Sequence, residues 1–269
     1  MAVAAVFAAS ASAGEYNLKM RPEIGKCIRV AARGEFRGKR CTASSPGTGK
    51  YSWLSGPGAK AKFSGAVKEG LQVVAIGLAS ASFGCTSPGE IEGEYTGPKN
   101  LTIKKLVLKG CHSTEGPCEN KAGSTAGEIT FEELDGELGF ISHPKKLKVG
   151  WDVRPKSGAN LASFECGGEI VAGKSTGTGI PRELQGSVIA RVEPLDRMQT
   201  AIALVGEVKH NAQFPQKFEG GPADTLTLVK GEKLPGMGKT PFPATLAGHL
   251  GLTGEEPLET LGKCTGTGC

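Results

Sequence analysis

Two glycine-bracketed motifs overlap near the middle of this chain, and each has a chemistry attached. Gly168-Glu169-Ile170-Val171-Ala172-Gly173-Lys174-Ser175 fits G-x-x-x-x-G-K-[ST] letter for letter, the pattern whose backbone amides cradle phosphates. Gly173-Lys174-Ser175-Thr176-Gly177 fits G-x-S-x-G, the elbow that exposes a nucleophilic serine. A phosphate loop needs a helix starting at its Lys-Ser, so that free amides and the helix dipole meet the anion. Here Thr176-Gly177-Thr178-Gly179-Ile180-Pro181 follows, poor helix formers closed by a breaker, and residues 169–172 read as strand. The elbow meets the same objection. Asp196 or Asp224 and then His210 or His249 follow Ser175 in the order a hydrolase triad requires, but the α/β alternation that builds a hydrolase sheet is missing. Gly236-Met237-Gly238-Lys239-Thr240 is a third echo and lacks the leading glycine, since position 233 is Lys.

His112, His143, His210 and His249 are scattered, with no His-Glu-x-x-His and no calcium-loop carboxylate run. Adjacent carboxylates such as Glu132-Glu133 and Glu255-Glu256 fall on opposite faces of a strand and cannot share acid–base work. No cofactor, metal or catalytic residue is therefore expected.

The cysteines carry more information. Cys27, Cys41, Cys85, Cys111, Cys118, Cys166, Cys264 and Cys269 make an even set of 8, as a disulfide framework requires. No Cys-x-x-Cys occurs, and only His112 stands close to a cysteine, which argues against structural zinc. Two pairings bracket turn-rich segments: Cys27 with Cys41 around Gly34-Glu35-Phe36-Arg37-Gly38, and Cys111 with Cys118 around residues 113–117. They leave Cys85 for Cys166. Cys264 and Cys269 sit in a Gly-Thr tail, where they pair with each other or play no structural part.

Charge is unevenly placed. Residues 16–62 hold eleven Lys or Arg against Glu23 and Glu35, a net of +9 in a chain of net +5, so the remainder is near −4. Such asymmetry fits either an anionic partner or a solvated basic face. If it is a partner, Lys26, Arg29, Arg33, Arg37, Lys39 and Arg40 are the anion-binding candidates, and wall polymer or lipid head groups are the expected anions. Nucleic acid is not a regular ligand outside a cell.

The first 13 residues form an Ala-, Val- and Phe-rich run ending in Ala11-Ser12-Ala13, which reads as a short export signal leading to a disulfide-permissive compartment. The run is shorter than the usual ~15 to 30 residues and lacks a preceding Lys or Arg. No segment approaches the roughly 20 apolar residues of a membrane helix. Glycine at 41 and proline at 16 demand many turns, and aromatics at 6% leave the core to Val, Ile, Leu and Ala. Helical periodicity is almost absent. Strands are expected at 71–78, 91–95, 101–108, 129–134, 138–141, 147–153, 161–165, 187–192, 200–208 and 225–229, with Asp135-Gly136 as the best hairpin turn. The expected fold is all-β: an antiparallel sandwich or barrel-like sheet of about ten strands, with a small disulfide-stapled N-terminal module. The divisions are a signal at 1–13, a small basic module at 14–57, a main β domain at 58–260 and a tail at 261–269.

Several islands together resemble a large group of uncharacterised exported proteins of soil actinobacteria. They are Gly49-Lys50-Tyr51-Ser52-Trp53, Gly110-Cys111, Cys118, Ala126-Gly127-Glu128-Ile129, Phe164-Glu165-Cys166-Gly167-Gly168, Phe218-Glu219-Gly220-Gly221-Pro222 and Glu255-Glu256-Pro257-Leu258-Glu259. The resemblance implies export and a β-rich, disulfide-bearing fold, and carries over no catalytic residue. The expectation is a secreted or cell-surface, non-enzymatic β-protein of surface interaction, adhesion or envelope structure. An extracellular hydrolase and an anchor to anionic wall polymer or lipid are the alternatives.

Overall fold

The structure, a computed structural model, describes residues 22–41, 44–142, 148–231 and 238–261; the expected export signal, His143, Cys264 and Cys269 lie outside the described residues. Short apolar or alternating runs between turn residues fold as strands. The first half contains β1 (Glu23–Phe36), β2 (Ser44–Ser55), β3 (Lys62–Ala75), β4 (Phe83–Tyr95), β5 (Asn100–Ser113), β6 (Gly116–Glu119), β7 (Ile129–Thr130), β8 (Leu134–Ser142) and β9 (Lys148–Pro155). The second half adds β10 (Asn160–Cys166), β11 (Ile170–Val171), β12 (Lys174–Ser175), β13 (Ile180–Gln185), β14 (Val188–Glu193), β15 (Gln199–Lys209), β16 (Ala212–Phe214), β17 (Thr227–Lys230) and β18 (Thr240–Leu261). Among the described residues only the 3-10 turn Ala79–Ala81 is helical, and no helix is long and apolar enough to cross a membrane.

All but the β11–β12 hairpin join one 16-stranded antiparallel sheet, and two extra pairings close it on itself. The pairing of β15 with β18 completes a ring of β18, β3, β4, β5, β8, β9, β14 and β15. The pairing of β5 with β6 completes a second ring of β18, β3, β4, β5, β6, β10, β13 and β17. The expected barrel-like antiparallel sheet is thus two fused barrels, and the strands around their joint rim form a ring of ten. Fusion requires strands long enough to serve both lobes. One edge of β5 pairs with β8 over Asn100, Leu101, Thr102 and Ile103 and with β6 at His112 and Ser113. Likewise β18, at 22 residues, gives its start to β17, its middle to β15 and its last three residues to β1.

Alternate side chains of these strands point inward, the period-2 pattern of a sheet with one dry face. Phe83, Cys85, Ile91 and Tyr95 of β4 and Leu101, Ile103, Leu106 and Leu108 of β5 are buried in one continuous core that also holds Trp151. At the junction of the lobes, side chains including Leu71, Ile103, Leu134, Val188, Leu204 and Leu250 enclose an apolar cavity of about 40 Å³. Its walls give a water almost nothing to bond, so the cavity belongs to the packing.

Two sequence expectations are corrected. Asp135-Gly136 is not a turn but lies inside β8, where Gly136 pairs with Leu101 on one side and Val153 on the other. Glycine is needed there for space: a Cβ would lie 2.7 Å from Leu101 Cδ1 and 3.3 Å from Trp151 Cε3. The predicted strand at 129–134 is correspondingly split, with β7 pairing Val107 and Leu108 before the chain crosses to β8. The second correction concerns the staples. Cys27 bonds Cys41, but Cys111 bonds Cys85 and Cys118 bonds Cys166, not Cys111–Cys118 and Cys85–Cys166. Register is the reason. Cys85 stands opposite Cys111 across β4 and β5, and Cys118 opposite Cys166 across β6 and β10. The β5–β6 turn sets His112 against Pro117, so all four cysteines fall in one row across four strands, in which Cys111 has Cys118 on one side and its partner Cys85 on the other.

Candidate anion-binding surface

The basic segment folds as the β1–β2 hairpin, which springs from the first barrel. At its base Glu23, Ile24 and Gly25 pair with Leu261, Thr260 and Glu259 of β18, and Ile24 enters the main core. Beyond Arg29 the register breaks. Residues 30–33 have no partner, Arg33 is left-handed at φ 59, and Phe36 pairs with both Tyr51 and Ser44. This bulge curls the hairpin back on itself. Gly34 makes the curl possible, because a Cβ there would come within 2.7 Å of the Tyr51 backbone. The curl encloses a core of its own, Phe36 and the Cys27–Cys41 bridge, with Tyr51 and Trp53 packed on it. At the base, the Trp53 indole donates to Glu23 Oε1 at 2.5 Å and the Ser55 hydroxyl to Glu23 Oε2 at 2.7 Å, which consumes one of the hairpin's two carboxylates.

The bridge also gathers charge. It returns Cys41, and with it Lys39 and Arg40, to the side of Cys27, whose chain continues into Ile28 and Arg29. Arg29, Arg33, Arg37, Lys39 and Arg40 are exposed, and so is Lys50 of β2. Among the described residues none of these six forms an ion pair; the one polar contact is a 3.5 Å bond from Arg37 Nε to Ser45 Oγ. Glu35 is the one exposed carboxylate among them. Ile28 and Leu54, at 37% and 46% exposed, add a small apolar patch beside the cations. The sixth candidate from the sequence, Lys26, does not belong to this surface. Its ammonium, only 16% exposed, is bound to the Glu256 carboxylate of β18 and ties the hairpin to the barrel. That bond holds Glu256 below the ordinary carboxylate range against the opposing effect of burial.

On the barrels, by contrast, many cations are matched. Lys105 and Lys109 both bond Glu90 and hold its pKa at about 2; Lys104 pairs with Glu94, Arg154 with Glu137 and Lys156 with Glu133. Sequence reasoning missed Lys50, whose Ser-Pro-Gly-Thr-Gly-Lys context reads as loop rather than strand.

The catalytic-looking motif is a small hairpin. Gly168 to Ser175 spans β11, a turn at Ala172-Gly173 with both φ values positive, and β12. Lys174 Nζ donates to Thr125 Oγ1 at 2.9 Å, and the Ser175 hydroxyl donates to Glu165 at 2.6 Å while accepting the Gly177 amide at 3.1 Å. Beneath this hairpin Glu165 stands opposite Glu119, which is fully buried with neither carboxylate oxygen hydrogen-bonded. Burial, with Glu165 adding to it, pushes the Glu119 pKa up. A third buried charge is Arg182 of β13, with no side-chain exposure. It donates to the carbonyls of Ala81 at 2.6 Å and Ser80 at 3.1 Å and pairs with Glu115, which Lys230 also holds at 2.7 Å. Desolvation pushes Glu115 upward, but Lys230 and Arg182 outweigh it and hold the carboxyl low. This knot closes the outer end of the second barrel.

Against protein-family models, curated proteins and solved structures alike, the chain finds no match.

Proposed function

We propose that this protein is a non-enzymatic, exported β-scaffold whose disulfide-stapled hairpin attaches it to an anionic polymer or head-group layer at a cell surface. The observation that carries the reading is the cluster of exposed cations on the hairpin, none of them in an ion pair among the described residues, in a protein many of whose barrel cations pair with carboxylates. A rigid display matters for binding, because side chains held on a stapled hairpin lose less freedom on contact than those of a flexible basic tail. Three disulfides suit a compartment where thiols are not kept reduced.

The test is retention on immobilised polyphosphate, with a neutral dextran matrix as the control. Retention on polyphosphate should weaken steeply with added NaCl, since the screening length shrinks from about 10 Å at 0.1 M to about 3 Å at 1 M. Reversing Arg29, Arg37 and Arg40 to Glu should abolish it while the melting temperature stays put. Retention that survives the triple reversal, or equal retention on dextran, sinks the proposal.

A further inference from the structure

Residues 215–224 make a tight loop between β16 and β17 that lies over the outer faces of β8 and β9. Lys217 bridges to Ala223, and the Asp224 amide donates to the Gln216 carbonyl at 2.6 Å, so the loop closes on itself. Two contacts hold it down in the middle: the Glu219 amide donates to the Phe140 carbonyl at 2.9 Å, and the Phe218 ring lies on the bare backbone of Gly139. Its end is held by acids. Asp224 Oδ1 accepts the Ser187 hydroxyl at 2.9 Å just before β14, and the neighbouring acid is Asp152 of β9, which the β9–β14 register sets opposite Ile189, two residues beyond Ser187.

These two aspartates are an unusual pair. Asp224 Oδ2 and Asp152 Oδ1 are both shielded from solvent, and neither has a hydrogen-bond donor. Two carboxylates in one desolvated niche repel, and two orphaned acceptors add their desolvation cost. A single proton removes both problems, because a neutral carboxyl donates where a carboxylate only accepts. The surrounding groups do not replace it. Arg154 Nη1 lies 3.6 Å from Asp152 Oδ2 but is shared with Glu137, whose own charge opposes it at Asp152; the Ser187 hydroxyl acts on both aspartates and the Ile189 amide on Asp224, yet burial outweighs them.

We propose that Asp152 and Asp224 share one proton that latches the 215–224 loop onto β8 and β9, and that loss of this proton releases the loop and uncovers the Gly139 face together with Phe218. The titration falls in a useful range. Burial first, then Asp152, raises Asp224 from 3.8 to about 7, and burial likewise raises Asp152. A carboxyl raised in the docked state favours docking at low pH. The latch is therefore closed well below 7 and weakens as pH rises through 7, by at most about tenfold per unit for one proton.

Hydrogen exchange on the intact protein tests this, with rates corrected for intrinsic pH dependence. Between pH 5.5 and 8.5 the Glu219 and Asp224 amides should lose roughly tenfold or more in protection, while amides of the β4–β5 ladder keep theirs. Asp152→Asn removes the repelling charge and should keep the loop protected at pH 8.5. Equal protection of the wild-type loop at both pH values overturns the proposal, as does parallel loss from the β4–β5 ladder. An Asp152→Asn variant that loses protection as the wild type does overturns it too. The wild-type comparison decides the matter by itself if the variant does not fold.

Discussion

Replacing Cys27 and Cys41 together by Ala should release the outer half of the β1–β2 hairpin and leave the barrels intact. The bridge closes a loop with a sequence separation of 14, worth roughly 3 kcal/mol of chain entropy in the unfolded hairpin. The other main stabiliser of the curl is burial of Phe36, 3% exposed, worth about 1.5–3 kcal/mol. Losing the bridge thus removes about half of what holds the hairpin beyond Arg29. Where cleavage follows transient opening, roughly 3 kcal/mol corresponds to about a hundredfold faster proteolysis. The assay is timed digestion by trypsin at 25 °C, with mass spectrometry reporting cuts after Arg29, Arg33, Arg37 and Arg40 and thermal melting of the undigested protein in parallel. Cleavage should accelerate about a hundredfold with the melting temperature within about 2 °C of wild type, because, among the described residues, the hairpin is joined to the barrel at its base, through the pairing of Glu23, Ile24 and Gly25 with β18 and the Lys26–Glu256 pair. Unchanged cleavage would show that the bridge does not hold the curl. A melting temperature that falls in step would show the hairpin to be part of the barrel's cooperative unit.

Other perturbations separate the remaining parts of the fold. Arg182→Met strands the Glu115 and Ala81 acceptors at the end of the second barrel and should cost about 3–5 kcal/mol, read as a drop of about 10 °C in melting temperature; a drop below 2 °C would mean that the knot is dispensable. Gly136→Ala puts a methyl against Leu101 and Trp151 and should cost about 1–3 kcal/mol, seen as a lower urea midpoint at unchanged slope, whereas a neutral result would mean that β8 yields easily. Glu90→Gln breaks two surface pairs at once yet should leave the urea midpoint nearly unchanged, since exposed ion pairs contribute little; a large shift would overturn the view that the barrel-surface pairs are energetically minor.

What was legible in the sequence follows from what each strand packs against. Strands with a dry face and an alternation broken by no more than a single register shift, such as Leu101, Ile103, Leu106 and Leu108 in β5, announce themselves. The strand that joins the two barrels does not. β18 carries Pro241, Pro243, Gly248, Gly251, Gly254 and Pro257, a composition that reads as loop, because it bends between lobes and passes close to other backbones. β1 was hidden by its bulge and its lack of a buried stripe beyond Cys27. The cysteine row shows a different limit: local spacing can nominate Cys111 and Cys118, but the partner of each is set by a register that only the sheet defines. The basic surface was visible as composition, yet nothing local told Lys26 from Arg29. The distinction comes from Glu256, 230 positions away in sequence from Lys26 and adjacent in space. Asp152 did leave a trace, a carboxylate set within Val149-Gly150-Trp151-Asp152-Val153, a strand otherwise written in apolar residues and glycine.

The uneven charge of the chain now has a structural form that bears on function. On the barrel walls the antiparallel registers set Glu92 opposite Lys105 and Lys62 opposite Glu94, and Arg154 reaches across to Glu137, so cations and acids meet there across neighbouring strands. In the hairpin the same geometry places Ser52 opposite Ile28, Tyr51 opposite Arg29 and Gly49 opposite Gly34. No acid faces the cations there, and the bridge then folds Lys39 and Arg40 back beside Arg29. Concentrating like charges this way costs stability through repulsion, which a solvated face of ordinary Lys and Glu would avoid. The fold meets that cost with a disulfide and a private aromatic core. A polyanion laid across the hairpin would supply the missing carboxylates' role, turning the repulsion into attraction and giving association a strong dependence on salt.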